Sequence, residues 1–377
     1  MAEPAIDPLL LGQRVVAILE TGPRTATYKL ATLMALIDQC IEHLPDSPDD
    51  VLAVPVGDLA HRVLELYWPQ VRPFHGQLLQ QIHGSPNAAI PRAARTLRAQ
   101  ADIGETNLPI GVAQLRAPQA YEAALDEVSI CLANQPLRRL QRVSGSADGD
   151  AFLYDDTVLQ TTTRSAKRAR GYVVTLKPGV ATGLARLAGL LKPALEIMWV
   201  NDVRRMNKFL DAEVPDVAGH LFGRERVSLA RVREPFKEAF GGRCFYCAAP
   251  LSADNPIDHV LPWSVVGLDG LANLVLSCAA CNTDKSHALP SAPIIDRVLG
   301  RDRDVLEQIA AAITWPTQYP RVVAAARGLY LGQAPGVPTW AGYRRSERLD
   351  LGHPRWWIRV DGADHYAHRH VLDQPQP

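Results

Sequence analysis

The sequence lacks a long uninterrupted hydrophobic run and an excess of charge of either sign. No apolar stretch approaches the roughly 18 residues that a membrane-spanning helix needs, so we expect no membrane span. The amino-terminal segment carries acidic residues where a secretion signal would be positive, and we expect no secretion signal. The 40 basic and 40 acidic side chains cancel, which excludes a global basic field. Any binding of nucleic acid therefore depends on local patches.

Cysteine is also scarce, with six among 377 residues. A chain of this length forms two or three domains with a core that needs no covalent crosslinks. Its 47% hydrophobic and 21% charged residues are typical of a folded globular protein. We predict a reducing cytoplasmic location, where cysteine pairs bind metal more often than they form disulfides.

The first part of the chain is predicted to be helical. Residues 25–43 carry apolar side chains at the spacing of one helix face, and residues 57–68 show a second such stripe. Further helices are predicted over residues 76–83 and 118–142. Arg62, on the second of these helices, is interpreted as part of a solvated rim, with contact to nucleic acid as the alternative.

A turn-rich segment, SGSADGD at residues 144–150, separates this helical region from a mixed one. In the mixed region, FLYDDTVLQ and YVVTLKP are predicted to form short strands, and residues 181–211 and 227–240 are predicted to be helical. The region also carries a cluster of basic side chains. Two interpretations stay open for it, a solvated helix face or a surface that contacts phosphate groups. The cluster runs from Arg164 to Lys237, and its first members are Arg164, Lys167, Arg168 and Arg170.

The pattern predicts four parts in the chain. Residues 1–145 form a helical domain that is a candidate for DNA binding or regulation, and residues 151–225 form a mixed basic connecting region. Residues 226–300 form a domain that contains the cysteine pairs. Residues 301–377 form a helical extension with an irregular tail.

Four of the six cysteines form two C-x-x-C pairs, Cys244 with Cys247 and Cys278 with Cys281. Each pair offers two thiolates from one tight turn, and two such turns supply the four tetrahedral ligands of a structural zinc ion. Two redox-active disulfides or four core thiols are the alternatives, but neither explains the pairing as well. The remaining two cysteines, in apolar helical segments, are interpreted as small buried hydrophobic residues.

The segment between and just after the cysteine pairs resembles the HNH endonucleases whose nuclease unit is braced by a four-cysteine zinc site. The resemblance covers residues 226–290. The matching residues are Cys244, Cys247, Asp258, His259, Pro262, Ser264, Asn273, Cys278, Cys281, Asn282 and Lys285. It implies a ββα-metal unit in which IDHVLP and LANLVLSC form the strands and the helix begins near Asn282. Together with the helical first part, this predicts the α+β class.

The resemblance implies a role for each polar residue of the motif. His259 is the expected general base that activates water, because a neutral imidazole can accept a proton from it. Asp258 and Asn282 are the expected oxygen ligands of a catalytic Mg²⁺ or Mn²⁺ ion. The family often has histidine where this chain has Asn282. Asn273 is expected to hold the loop and orient the base.

Two basic residues near the motif are expected to contact nucleic acid. Lys285 lies about one helical turn after Asn282, where its ammonium would reach a phosphate oxygen, although a solvated charge is an equal alternative. Arg243 directly precedes the first cysteine. His287 is a spare candidate for the same region.

The function predicted from these residues is metal-dependent hydrolysis of DNA that leaves 5′-phosphate and 3′-hydroxyl ends. The resemblance also implies a bacterial protein of the restriction or phage-defence type, with a homodimer or a defence partner expected. A non-catalytic zinc module that binds nucleic acid or protein is one alternative. A nuclease that acts on RNA or branched DNA is another, because these substrates share the same backbone chemistry.

Overall fold

The structure is a computed structural model of the 377-residue chain. It describes residues 6–20, 25–85, 87–141, 151–160, 173–210, 216–222, 228–252 and 254–350. The chain divides into two compact units, unit 1 over Met1–Val227 and unit 2 over Ser228–Pro377. Helices predominate, and the strands form small two-stranded antiparallel sheets. This confirms the predicted α+β class.

Unit 1 is built mainly of helices. They are α1 (Pro8–Glu20), α2 (Tyr28–Glu42), α3 (Val56–Tyr67), α4 (Ala89–Gln100), α5 (Ile110–Arg116), α6 (Pro118–Asn134), α7 (Pro136–Arg139), α8 (Thr157–Gln160), α9 (Val180–Met206) and α10 (Val217–Phe222). The strands β1 (Leu52–Pro55) and β2 (Val173–Leu176) pair antiparallel, with Leu52 opposite Leu176.

Helix α2 forms the centre of unit 1. Every residue in it except Lys29 is buried, and it packs against α3 and α9. The sequence predicted a single apolar face, whereas helices cover α2 on all sides. A helix that is surrounded in this way must satisfy its polar side chains inside the protein.

A buried ionic cluster meets that requirement. The carboxylate of Asp38 on α2 accepts from Arg62 Nε on α3 and from Lys192 Nζ on α9, both at 2.6 Å. All three side chains are at most 6% exposed. The interpretation of Arg62 as a solvated rim residue is therefore wrong, because its guanidinium is committed to the core.

The predicted helix over residues 76–83 is absent from the structure. Phe74 and Gln77 instead close a tight turn through mutual backbone hydrogen bonds, and Gly76 in that turn has φ of +76°. Ile82 then pairs with Ala26 in an isolated bridge. A glycine in the left-handed region ends helical propagation, and this outweighs the apolar periodicity.

The first of the two segments predicted as strands, FLYDDTVLQ, also differs from its prediction. Tyr154 forms only an isolated bridge to Leu176, and the segment continues into the short helix α8. Asp155 Oδ1 accepts from the backbone N–H of Thr157 at 2.9 Å at the start of that helix. This local hydrogen bond favours the helical turn over a strand.

Unit 2 contains shorter elements in a more mixed order. They are α11 (Ala230–Phe240), β3 (Ile257–His259), α12 (Trp263–Val266), a 3₁₀ turn (Leu271–Asn273), β4 (Leu274–Leu276), α13 (Ala279–Lys285), α14 (Ala292–Leu299), α15 (Arg303–Ile313), α16 (Tyr319–Leu331), β5 (Pro338–Gly342) and β6 (Arg345–Arg348). β3 pairs antiparallel with β4, and β5 pairs antiparallel with β6. None of the described helices in either unit combines the length and the apolar character that a bilayer crossing requires.

We predict that Asp38→Asn lowers the free energy of unfolding of the full chain by about 3–5 kcal/mol, because it removes the buried carboxylate that Arg62 and Lys192 share. Denaturant titration measures this change. Glu122→Gln, which removes an exposed carboxylate on α6, is the control and is expected to change stability by less than about 0.5 kcal/mol. Equal effects of the two substitutions would contradict the prediction.

Candidate functional site

The two cysteine pairs lie on different local structures. In the first pair, the backbone N–H of Cys244 donates to Ala249 O at 2.8 Å and that of Ala248 donates to Cys244 O at 2.9 Å, which folds the chain into a tight turn. In the second pair, Cys278 is the N-cap of α13, and its Sγ accepts from the backbone N–H of Cys281 at 3.4 Å. Both turns aim their sulfur atoms at one point.

The four sulfur atoms fit a tetrahedral metal ion. All four lie within 4.8 Å of one another, and Cys247 Sγ is 3.8 Å from Cys278 Sγ. Zinc–sulfur bonds of about 2.3 Å place the corners of a tetrahedron roughly 3.8 Å apart. None of the four forms a disulfide. Among the described residues, this is the one group of three or more cysteine, histidine and acidic side chains that is close enough to hold a metal.

Burial raises the pKa of the Cys244 and Cys281 thiols above the ordinary value, whereas a hydrogen bond from the backbone N–H of Ala249 lowers the pKa of the Cys247 thiol. A divalent ion supplies the positive charge that stabilises buried thiolates. The donor set and its spacing therefore fit the predicted structural zinc ion.

The strand pair β3–β4 sets the direction of the two central polar residues of the motif. Asp258 lies opposite Val275 and His259 lies opposite Leu274. Successive side chains on a strand point to opposite faces, so the carboxylate and the imidazole leave β3 on different sides. Both side chains are nevertheless largely buried, Asp258 at 7% and His259 at 4% exposure.

The imidazole of His259 is held by a carboxylate that the sequence did not reveal. His259 Nε2 lies 2.8 Å from Asp269 Oδ1. A carboxylate only accepts, so Nε2 is the protonated nitrogen, and in the neutral ring Nδ1 then carries the lone pair. No hydrogen bond to Nδ1 is formed by the described residues. The ring is thus oriented as a proton acceptor through Nδ1.

The loop that carries Asp269 is fixed by a segment far along the chain. Trp315 is fully buried, and its Nε1–H donates to Asp269 O at 2.8 Å. The backbone N–H of Leu271 donates to Pro316 O at 3.0 Å. A Cβ atom on Gly270 would lie 2.5 Å from Thr317 O, so this close approach requires glycine. The only sequence signal for Asp269 is its place just before that glycine.

Asn273 is fully buried and ties together the two ends of the loop after β3. Its Oδ1 accepts from the backbone N–H of Leu261 at 2.8 Å, and its Nδ2 donates to Leu261 O and Leu268 O. This is the loop-holding geometry that the resemblance implied. The contact to the His259 ring comes instead from Asp269.

Asp258 lies in a network that includes a buried lysine. Its Oδ2 accepts from Tyr246 OH at 2.6 Å and lies 3.1 Å from Lys285 Nζ. Burial raises the pKa of the Tyr246 phenol well above its ordinary value, so the phenol is a neutral donor. Lys285 Nζ also donates to His259 O at 2.7 Å.

The expectation that Lys285 contacts a phosphate, or is a solvated charge, is therefore wrong. The side chain is 1% exposed, and its ammonium is shared between the Asp258 carboxylate and a backbone carbonyl. The side chain of Lys285 points from α13 into the protein interior rather than toward solvent.

The other candidates occupy varied positions. Asn282 is half-buried on α13, and His287 is exposed, with Nδ1 3.3 Å from Ser286 Oγ. Arg243 is exposed, and its guanidinium donates to Ala248 O at 3.0 Å on the first cysteine turn. The first part of the predicted basic cluster lies outside the described residues. It consists of Arg164, Lys167, Arg168 and Arg170.

A second cation, half-buried, braces the region where β4 begins. Arg301 donates to Leu271 O, Ala272 O and Leu274 O at 2.7–3.1 Å. Burial lowers the pKa of this guanidinium to about 10. No sequence pattern indicated this contact, because Arg301 lies after the motif, in the connection between α14 and α15.

Two segments of the chain match known protein families. Residues 244–291 match the family described as HNH endonuclease, so the ββα unit with its four-cysteine cluster is an HNH endonuclease domain. Residues 10–221, more than half of the chain, match a domain of unknown function, DUF8808, and the chain belongs to that family. No curated protein and no solved structure matches the chain. Asp269 lies inside the HNH match, whereas Arg301 and Trp315 lie outside both matches.

We predict that Cys281→Ala abolishes stoichiometric binding of zinc and destabilises unit 2, because a structural zinc site contributes directly to folding. Metal analysis together with thermal unfolding measures both effects. Cys131→Ala, in α6, is the matched control and should retain zinc. Full zinc content in Cys281→Ala would contradict the assignment of the four-cysteine site.

We also predict that Lys285→Met destabilises the protein by about 3–5 kcal/mol, because Asp258 is left buried without its cation. The double variant Lys285→Met/Asp258→Asn should recover about 1–3 kcal/mol of this loss in a double-mutant cycle. Additive effects would show that the two side chains do not form an ion pair. Lys237→Met, in α11, is the control for removal of a lysine charge.

Proposed function

We propose that this protein is a metal-dependent endonuclease that hydrolyses phosphodiester bonds of DNA. The observation that carries the proposal is the His259–Asp269 pair inside a zinc-braced HNH domain. Such a pair holds one imidazole nitrogen and leaves the other available for a proton from water. Other contacts in the domain keep the surrounding loop in place.

In the proposed reaction, His259 Nδ1 takes a proton from water while the water oxygen bonds to phosphorus. The bond from phosphorus to the 3′-oxygen breaks, and that oxygen leaves with the bonding electrons and takes a proton from solvent. The products carry 5′-phosphate and 3′-hydroxyl ends. Asp269 stabilises the imidazolium that forms, because its carboxylate already accepts from Nε2–H.

The oxygen atoms of Asp258 and Asn282 are the donors that would hold a catalytic divalent ion. A carboxylate and an amide oxygen suit Mg²⁺ or Mn²⁺. The carboxylate of Asp258 has lone pairs beyond those used by Tyr246 and Lys285, so the donor set fits such an ion. When bound, the ion would supply positive charge at the leaving oxygen.

The Asp258–Lys285 pair is also the observation that favours the second candidate function. An ammonium 3.1 Å from the carboxylate already neutralises it, and a divalent ion would have to share this ligand. A zinc module that binds nucleic acid or protein without cutting is therefore the alternative. Cleavage assays with Mg²⁺ and Mn²⁺ distinguish the two.

The biological setting belongs to the same proposal. We propose a bacterial restriction or phage-defence role in the cytoplasm, where the DUF8808 region regulates or directs the nuclease. A homodimer or a partner protein would allow one small active site to act on both strands. Assays with modified, unmodified and branched DNA and with RNA would define the substrate.

We predict that His259→Ala lowers the cleavage rate by about 10²–10⁴-fold, because general-base catalysis contributes a factor of that size. Asp269→Asn should lower kcat by about 10–100-fold, because an amide no longer fixes the Nε2–H tautomer or stabilises the imidazolium. Plasmid cleavage under single-turnover conditions measures both rates. Ring ¹⁵N shifts of His259 should report the tautomer change in Asp269→Asn.

Asp254→Asn, which removes an exposed carboxylate in the same domain, is the matched control and should cut like the wild type. Zinc content should be unchanged in every variant. Equal cleavage by the wild type and His259→Ala would refute this active site. Absence of cleavage by the wild type on every DNA and RNA substrate, with both ions, would favour the non-catalytic alternative.

A further inference from the structure

The β5–β6 hairpin near the end of unit 2 carries a cluster of exposed arginines. The two-residue turn is Tyr343–Arg344, and all four residues of β6 are exposed. The segment Tyr343–Arg348 holds three arginines and one glutamate, within a chain whose overall charge is zero. The hairpin lies outside both family matches.

The other strand of the hairpin anchors it to the HNH domain. Trp340 on β5 is 6% exposed, and its backbone N–H donates to Leu289 O at 2.8 Å. The backbone N–H of Ser291 donates to Trp340 O at 2.8 Å. The indole ring also packs edge-on against Tyr246, with the ring centroids 4.8 Å apart. Tyr246 is the residue that donates to Asp258.

A single carboxylate fixes the turn next to the nuclease helix. Asp284 Oδ2 accepts from Trp340 Nε1 and from the backbone N–H of Arg344, each at 2.8 Å. These hydrogen bonds lower the pKa of Asp284. Asp284 lies two residues after Asn282 on α13, so the arginine-bearing turn is tied directly to the helix that carries a proposed ligand of the catalytic ion.

Within the described part of the chain, the guanidinium groups of Arg345 and Arg348 have no anionic partner. Arg344 lies over the Tyr343 ring, 5.2 Å from its centroid. An anchored strand that presents unpaired arginines beside a phosphodiesterase site is suited to bidentate contacts with phosphate groups. A two-stranded ribbon also fits against a DNA duplex.

We infer that the β5–β6 hairpin binds the phosphate backbone of the duplex DNA substrate through Arg345 and Arg348, next to the cleavage site. This inference rests on the proposed nuclease function for its choice of partner. Because the net charge of the chain is zero, binding of DNA needs a local basic patch, and the hairpin provides one. The hairpin would fix the position of the duplex relative to His259 without reading its sequence.

The test measures binding separately from cleavage. Full-length His259→Ala protein is titrated against a fluorescent DNA duplex over a range of salt concentrations without divalent ions. Adding Arg345→Gln and Arg348→Gln should weaken binding and reduce the slope of log Kd against log salt by about 1 for each arginine removed. Glu347→Gln, on the same strand, should tighten binding because it removes the one opposing charge of the segment.

Arg303→Gln is the matched control. This exposed arginine at the start of α15 lies between Asp302 and Asp304 and should leave the salt slope unchanged. Zinc content and thermal unfolding should be the same for all variants, because β6 is exposed. An unchanged slope in the double arginine variant would overturn the inference, and so would a change seen with RNA or a protein partner but not with duplex DNA.

Cleavage by the corresponding variants with intact His259 separates this inference from the proposed function. If the wild type cuts DNA, the double arginine variant should show a raised KM with kcat within about twofold, because uniform binding is lost. If the wild type cuts and the variant has an unchanged KM, the hairpin does not bind the substrate. The proposed nuclease function would still stand in that case. If the expected slope changes are seen but the wild type cuts no DNA or RNA substrate with either ion, the hairpin would be supported and the nuclease function would not.

Discussion

The convergence of four sulfur atoms is the constraint on which the geometry of the HNH domain depends. Strands β3 and β4 contain three residues each, too few to hold a site by their own pairing. The first cysteine turn is joined to β4 because Phe245 N–H donates to Leu276 O at 2.8 Å, and the second pair begins α13. A metal ion held at this point would fix the strands and the helix together.

The motif was predictable because its signals are local in sequence. Paired cysteines and the Asp258–His259 dipeptide each carry their chemistry within a few residues. Asp269 and the inward direction of Lys285 were not predictable, because they depend on contacts between distant segments. The prediction of a helix over residues 76–83 failed for a related reason, because apolar periodicity does not show that Gly76 adopts a positive φ. Helix α2 was predicted as a helix, but its burial on every side was not.

The two units use their charged residues in different ways. Unit 1 buries Asp38, Arg62 and Lys192 in a core ionic cluster, to which Glu65 adds a second carboxylate. Unit 2 also buries Lys285, but it leaves the arginines of β6 in solvent. A net charge of zero for the whole chain conceals this division, since it sums core pairs and surface patches alike. The composition therefore excluded a strong overall electrostatic field. It did not show which charged side chains are exposed and able to contact a partner.

The supports supplied by Arg301 and Trp315 have a consequence for how the domain is divided. Residues that match the HNH family end at Ser291, yet the carbonyl groups around β4 and the loop of Asp269 are held by side chains beyond that point. A fragment cut at the edge of the family match would keep every zinc ligand and lose these donors. The portion of the chain that is recognisable by sequence is therefore shorter than the portion that can function as a transferable module.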